Sequence, residues 1–331
     1  MIIRTHAYPR AALIGNPSDG YYGKTLAFTF GNFRAETLLY ESPELEIQPS
    51  ARDESVFQSL DALADDVRLF GYYGGIRLIK AALKSFHDYC RHQGIQLHDR
   101  NFTIRYQSDI PNLVGLAGSS AIITACMRAV TTFYGVAIPK PQLANLIRSV
   151  EHRELGISAG LQDRVAQVYQ GLVYMDFDRG LMERQGFGRY ECLDPALMPP
   201  LYIAYRTDLS EGSEVFHNNI RDRFNAGERE VVEAMRFWAD LTDQARAAIE
   251  ARDWLRLGRL MDANFDQRAK LYRLSEGNLR MVRAAREAGA SAKFPGSGGA
   301  IIGVYPDESV LDRLQARLAE MQVKVIRPQL V

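Results

Sequence analysis

The stretch Pro111-Asn-Leu-Val-Gly-Leu-Ala-Gly-Ser-Ser-Ala-Ile-Ile-Thr-Ala-Cys-Met-Arg-Ala-Val130 runs a glycine- and serine-rich turn straight into an apolar helix. Gly115 and Gly118 let the backbone come close to a ligand. Ser119, Ser120 and Ala121 then open a helix whose first amide hydrogens have no intrahelical acceptor. Amides so placed point at a phosphate and read as an anion cradle. A turn that merely caps a buried helix uses the same residue types. The rest of the chain has to decide between the two.

On the N-terminal side, Asn101-Phe-Thr-Ile-Arg-Tyr106 alternates as a strand that leads into the turn. Before it, Ile76, Leu78, Ile79, Ala82, Leu83, Phe86 and Tyr89 recur at helical spacing and predict an amphipathic helix from Gly75, ended near Gly94. Ala11 to Ile14 is a short apolar run that stops at Gly15-Asn-Pro-Ser-Asp-Gly20, a cluster of turn formers. Leu26 to Phe30 alternates as a strand, and Phe33 to Ile47 adds one or two more before a polar loop through Glu54.

On the C-terminal side, Pro139 to Glu154 reads as a second helix with Leu143, Leu146, Ile147 and Val150 on one face, broken by Gly156 to Gly160. Gly171 to Phe177 is strand-like. Pro195 to Pro200 holds three prolines in six residues and marks the expected boundary between domains at 1–196 and 197–331. Beyond it lie a strand, Leu201 to Tyr205, and a long helical region from Glu214 to Ala288 with Trp238 and Trp254 inside it. From Lys293 the chain reads strand, glycine-rich turn, strand (Ala300 to Val304), helix (Ser309 to Met321) and strand (Val323 to Ile326).

Composition bounds the function. At 331 residues the chain is long enough for two domains, and 47% hydrophobic with 24% charged residues excludes wholesale disorder or a fibrous repeat. Forty basic side chains balance forty acidic ones, which removes any bulk attraction to nucleic acid or an anionic membrane. Cys90, Cys126 and Cys192 are odd in number and not at metal-ligand spacing, so they read as reduced thiols of a cytoplasmic protein. The first residues lack a signal-peptide core, and no run of about eighteen apolar residues exists to span a bilayer. Ser18-Asp-Gly-Tyr-Tyr-Gly-Lys-Thr25 nearly matches the Walker-type phosphate loop, but it lacks the leading glycine and runs on into strand-forming residues. A P-loop NTPase is rejected.

Pro111-x-x-x-Gly-Leu-x-Gly-Ser-Ser-Ala121 resembles the central ATP-binding motif of the galactokinase, homoserine kinase, mevalonate kinase and phosphomevalonate kinase superfamily, the GHMP kinases. Pro9-Arg-Ala-Ala-Leu-Ile-Gly15 resembles its first motif, and Lys293-Phe-Pro-Gly-Ser-Gly-Gly-Ala300 its C-terminal glycine motif. Glu151-His-x-x-x-Gly-x-x-x-Gly-x-x-Asp163 is similar in spacing to galactokinase-type members. Within the superfamily, Leu13 to Thr25, Val114 to Ile122, Leu197 to Tyr202, Asn264-Phe-Asp-x-Arg268 and Ser291 to Ala300 resemble the glucuronokinase branch. Thr207-Asp-Leu-Ser-Glu-Gly-Ser213 departs from that branch and leaves the exact sugar open.

The resemblance implies an α+β fold of two domains, the N-terminal one like ribosomal protein S5 domain 2 and the C-terminal one ferredoxin-like, with the active site between them. It implies an ATP-dependent sugar 1-kinase acting on a small sugar or uronic acid, D-glucuronate first, as a monomer or homodimer. A galactose-, fucose- or heptose-type kinase is the near alternative, and a non-catalytic sugar- or nucleotide-binding regulator the distant one. Pro111, Gly115, Leu116, Ala117, Gly118, Ser119, Ser120 and Ala121 would hold the ATP phosphates, and Ser119 with Glu151 the Mg²⁺. Asp163 would orient the sugar hydroxyl or take its proton. Aspartate is a weak base in water, so a nearby cation matters, and Arg10 is the matching one in the first motif. Asn16, Ser18, Asp19, Tyr21 and Lys24, with Gly296, Ser297 and Gly298, would face the acceptor. A uronate also needs a cation for its carboxylate, and Lys24, Arg164, Arg206 and Arg223 are the candidates.

Overall fold

The computed structural model describes residues 1–50, 53, 57–64, 74–206 and 214–331. The departure at Thr207–Ser213 therefore lies outside the described residues, as does most of the polar loop ending at Glu54. The strands are β1 (Ile2–Ala7), β2 (Arg10–Ile14), β3 (Lys24–Thr29), β4 (Ala35–Ser42), β5 (Glu46–Gln48) and β6 (Asn101–Ser108). They continue as β7 (Leu172–Asp176), β8 (Arg189–Leu193), β9 (Leu201–Tyr205), β10 (Ala300–Val304) and β11 (Lys324–Ile326). The principal helices are α1 (Gly75–His92), α2 (Gly118–Tyr134), α3 (Lys140–Ser149), α4 (Gln162–Tyr169) and α5 (Arg179–Gln185). After them come α6 (Glu214–Asn225), α7 (Arg229–Glu250), α8 (Trp254–Leu271), α9 (Glu276–Glu287) and α10 (Glu308–Ala319).

These elements form two compact units that interleave along the chain. The first comprises Met1–Pro9, Phe33–Asn112 and Ala117–Val168. Its sheet has the order β1-β4-β6-β5, antiparallel except where β5 runs parallel to β6. The alternation read in β6 buries Phe102, Ile104 and Tyr106 beside Ala35, Thr37 and Leu39 of β4, with Leu39 opposite Ile104. Helix α2 carries one charged residue, Arg128, and ten of its seventeen residues are buried. A helix apolar nearly all round has to be covered on several sides. Here β1 and β4 lie along it, and α1 packs against it. Gly135, left-handed at φ 66°, ends it. Strand β1 was not expected from the sequence, although Ile3 and Ala7 are buried while Ile2, Arg4 and His6 are exposed.

The second unit comprises Arg10–Asn32, Leu113–Leu116 and Tyr169–Val331. It holds two antiparallel sheets, β2-β3-β7-β8 and β10-β9-β11. Strands β2, β7, β9 and β10 are buried throughout, as their near-continuous apolar runs suggest. Residues Pro195–Leu197 form a single 3₁₀ turn inside this unit, between β8 and β9. The long helical region resolves into four helices. Trp238 on α7 is fully buried and its indole N–H donates to the Asn264 carbonyl at 3.0 Å on α8. Trp254, expected inside as well, is only partly buried because it is the first residue of α8, next to the capping Asp253.

Candidate active site

In the loop that feeds α2, alternate residues Leu113 (φ 55°), Gly115 (φ 70°) and Ala117 (φ 61°) are left-handed. Left-handed backbone is costly for leucine and alanine, and such strain concentrates where a loop must present its amides in a fixed way. Alternating turns of this kind form anion-binding concavities. The helix itself begins at Gly118 with no side-chain cap. Its first amides, on Gly118, Ser119 and Ser120, have no acceptor among the described residues. The Ala117 carbonyl instead collects the Ala121 amide at 3.1 Å, the Ser120 hydroxyl at 3.1 Å and the Gln167 side chain at 2.9 Å. Ser120 thus faces inward and is buried, whereas Ser119 is exposed.

Beside Ser119, in the first unit, stands a polar chain of four side chains. The Ser119 hydroxyl donates to Glu151 Oε1 at 2.7 Å. Glu151, only 2% exposed, lies on a π-helical turn, Val150–Glu154, that ends the second predicted helix. Such turns displace one residue from the helical register, frequently at functional sites. Its other oxygen pairs with Arg164 Nη2, and Arg164 Nη1 lies 3.2 Å from Asp163 Oδ2 and donates to the Gly160 carbonyl at 3.0 Å. The guanidinium is 4% exposed and ties both sequence-selected carboxylates together. Arg164, considered above as a partner for a uronate, is therefore committed to Glu151 and Asp163. The donor set suits Mg²⁺, which takes one or two carboxylates, keeps several waters and completes its shell with phosphate oxygens. A hydroxyl and a carboxylate oxygen are already 2.7 Å apart, and Arg164 occupies the remaining oxygen.

The second unit holds the other groups. Arg10, 4% exposed at the start of β2, donates its amide to Leu116 O at 3.1 Å and its guanidinium to the Pro295 carbonyl. The two glycine loops meet here. A Cβ on Gly296 would stand 2.1 Å from Gly115 O, and one on Gly115 would stand 2.8 Å from the Ser297 amide nitrogen. Arg268 binds the same loop, donating to Gly296 O at 2.9 Å and Ser297 O at 3.4 Å. Gly298 (φ 150°) and Gly299 (φ 76°) turn the chain beside Asn278, whose side-chain oxygen accepts the Gly299 amide at 3.0 Å. Gly296→Ala is expected to lower stability by about 1–3 kcal/mol, as overpacking does, and to raise the KM for ATP. Urea unfolding and initial-rate kinetics measure both effects, and wild-type values in both would sink the contact.

The turn Gly15–Lys24 is held from behind. Asn264 accepts the Gly15 amide at 2.7 Å and donates to the Asn16 carbonyl at 3.0 Å. Lys293, 1% exposed, donates to Ala12 O at 2.9 Å and Asn16 Oδ1 at 2.6 Å. Burial, with Arg268 and Arg10 nearby, pushes its ammonium well below the usual lysine range. The Asn16 amide group donates to Phe294 O at 3.2 Å, and the buried Ser18 hydroxyl to Lys24 O at 2.9 Å. The side chains of Asn16 and Ser18, expected at the sugar, thus serve the turn itself. Lys24 pairs with Asp243 at 2.6 Å. Asp19 is partly buried, and the Tyr21 ring is 5% exposed.

Asn264, Arg268 and Lys293 stand in motifs that carry the resemblance, but no role was read for them there. Asn264 and Arg268 stand four apart on one helix face, which is the signal that could have paired them.

A family model described as the GHMP kinases N terminal domain matches residues 77–171, and one described as GHMP kinases C terminal matches 245–324. A probable glucuronokinase 2 of Arabidopsis thaliana is 42% identical over 313 residues, covering 92% of this chain and 85% of the relative. Glucuronokinase 1 of the same plant is 41% identical over 311 residues, with the same coverage. Phosphomevalonate kinase of Streptococcus pneumoniae superposes with a TM-score of 0.76 at 13% identity over 100% of both chains. Lactococcus lactis galactokinase, solved with galactose, gives 0.75 at 15% identity over 99% of this chain and 93% of that one. At such identities the structural likeness speaks for the fold alone, and it is the two-domain α+β fold that the motifs imply. Fold, paired family models and close relatives over nine-tenths of the sequence agree: the chain belongs to the GHMP kinase family.

Proposed function

We propose that the chain is an ATP-dependent sugar 1-kinase whose acceptor is D-glucuronate, giving D-glucuronate 1-phosphate and ADP. The observation that carries this reading is the chain Ser119–Glu151–Arg164–Asp163 beside a helix N-terminus whose first amides have no acceptor among the described residues. Phosphoryl transfer asks for a phosphate cradle, Mg²⁺ and a positioned hydroxyl, with little covalent work for the protein. The glucuronokinase names of the two plant relatives support the substrate. The proposed modules are 1–196 and 197–331, with one family-model match in each.

In this reading the amides of Gly118 to Ser120 receive the phosphates of ATP. Ser119 and Glu151 would hold Mg²⁺, which neutralises charge on the phosphates when bound. Asp163 accepts a hydrogen bond from the anomeric hydroxyl and takes its proton as the bond to phosphorus forms. Arg164 keeps Asp163 oriented toward that hydroxyl. Arg10, always charged, stabilises negative charge on the transferring group. Asp19 and Tyr21 meet the sugar, while Asn16 and Ser18 shape the turn that carries them. Cytoplasmic residence belongs to the same proposal, supported by three unpaired cysteines. No helix among the described residues is long and apolar enough to cross a membrane.

A coupled ADP-release screen across free uronates, hexoses and deoxyhexoses tests the proposal. Turnover on D-glucuronate above that on galactose, fucose or a heptose is expected. Preference for a neutral sugar would replace the substrate, and no turnover on any would favour a binding module.

A further inference from the structure

A uronate differs from its parent hexose by one carboxylate, so selecting it requires a cation with donors left open. The cations named from the sequence are committed elsewhere. Lys24 is bound to Asp243 at 2.6 Å, whose second oxygen accepts the Tyr174 hydroxyl at 2.6 Å. Arg164 holds Glu151 and Asp163. Arg206 donates its amide to Gly299 O at 2.9 Å and its guanidinium to Met321 O at 2.9 Å. Arg223 is paired with Glu228 and Glu230 on the surface. Arg268 and Arg10 are buried on backbone carbonyls, and Arg179, over the Tyr22 ring at 5.4 Å, is paired with Glu183 at 2.7 Å.

Arg221 on α6 is different. Its Nη1 donates to the Gly20 carbonyl at 2.6 Å, in the middle of the acceptor turn. Its guanidinium carbon lies 4.2 Å from the centroid of the Tyr21 ring, and that ring meets Phe224, one turn further along α6, edge-on at 5.0 Å. Tyr21 is therefore gripped by two residues of one helix face. A side chain at position 20 would crowd the guanidinium, since a Cβ there would stand 3.0 Å from Nη2. The side chain is exposed, forms no ion pair among the described residues, and its Nε and Nη2 make no hydrogen bond with any of them. Stacking and one backbone bond fix the plane of the fork while one bidentate edge stays open. Asp19 and Arg221 both act on the Tyr21 phenol, which burial pushes up, Arg221 pulls down and Asp19 pushes up further. An acidic and a basic group thus lie within electrostatic reach of the same phenol.

We propose that Arg221 recognises the acceptor's carboxylate through its open Nε–Nη2 edge and thereby selects a uronate over a neutral sugar. This rests on the sugar-kinase reading above. The carboxylate lies on the sugar skeleton away from the anomeric hydroxyl that receives the phosphoryl group, so the contact contributes binding rather than chemistry and its loss belongs in KM.

The test uses the full chain and compares D-glucuronate with D-glucuronamide, the same skeleton without the charge. Arg221→Gln is expected to raise the KM for glucuronate about 10- to 100-fold, as loss of a charge-assisted hydrogen-bonded pair does, with kcat changed far less. Discrimination between glucuronate and the amide, measured as a ratio of KM or Ki values, should fall by about the same factor. Arg221→Lys should restore part of it, because it keeps the charge and loses the fork. An unchanged melting temperature for both variants confirms that the effect is local. A wild type that turns over glucuronate beside an Arg221→Gln variant within about twofold of its KM and discrimination overturns the proposal alone. A wild type inert on glucuronate but active on a neutral sugar overturns the substrate reading and this inference with it.

Discussion

Asp163→Asn is expected to lower kcat by about a hundredfold or more while leaving the Kd for ATP unchanged, the range for a positioned base. The substitution keeps the shape of the side chain and its place beside Arg164, 3.2 Å away, and removes only the negative charge. With an amide in that position the anomeric hydroxyl keeps a hydrogen-bond partner but loses the group that takes its proton. Because Asp163 is distinct from the amides at Gly118 to Ser120, nucleotide titration separates binding from turnover. A variant with near-normal kcat would remove Asp163 from the chemistry.

Glu151→Ala carries the larger expected effect on folding. It leaves the Arg164 guanidinium, 4% exposed, with Asp163 as its remaining acid, and removing one member of a buried pair so partnered costs about 3 kcal/mol, the low end of the range for a charge left alone. Arg164→Met should cost a similar amount by stranding Glu151, itself 2% exposed. The double variant Glu151→Leu/Arg164→Met should be destabilised by clearly less than the sum, because no buried charge is then left alone. Urea unfolding of the four proteins measures the coupling, and additive losses would show that the pair does not act as a unit. Under the proposed assignment of Ser119 and Glu151 to Mg²⁺, Glu151→Ala should also raise the Mg²⁺ concentration needed for half-maximal turnover.

Much of the site was legible because its parts are punctuated by residues with few structural uses. Gly115, left-handed and pressed against the Ser297 amide, tolerates no side chain, and Gly296 tolerates none against Gly115 O. The spacing from Glu151 to Asp163 likewise foretold two carboxylates on successive segments. What holds them together was not legible. An arginine next to an aspartate is commonplace on a helix surface, and only the fold shows Arg164 turned inward to bridge both acids. The burial of Lys293, first residue of the C-terminal glycine motif, was hidden for a related reason, since lysine is almost never fully buried and nothing local marks one that is.

Elsewhere the limits were those of pattern. Helices α1 and α2 and strands β9 and β10 follow from periodicity and apolar runs. Edge strand β8 has one buried residue, Leu193, and gives no alternation to read. The left-handed conformations of Leu113 and Ala117 have no sequence signature, because neither residue prefers them. Asn16 and Ser18 looked like ligands because they are polar in a glycine-rich turn, and the structure spends those polar atoms on the turn itself. Arg221 lies two residues from Arg223, and only the fold shows that Arg223 pairs with Glu228 and Glu230 while Arg221 stacks on Tyr21 and bonds to Gly20 O.

The most direct measurement is phosphorus NMR of the product formed from ATP, Mg²⁺ and D-glucuronate by the wild-type chain. A phosphomonoester resonance coupled to the anomeric proton is predicted, rising in step with ADP. Phosphate on any other carbon of the sugar, or ATP left intact beside D-glucuronate, would contradict the assignment of this chain as a glucuronate 1-kinase.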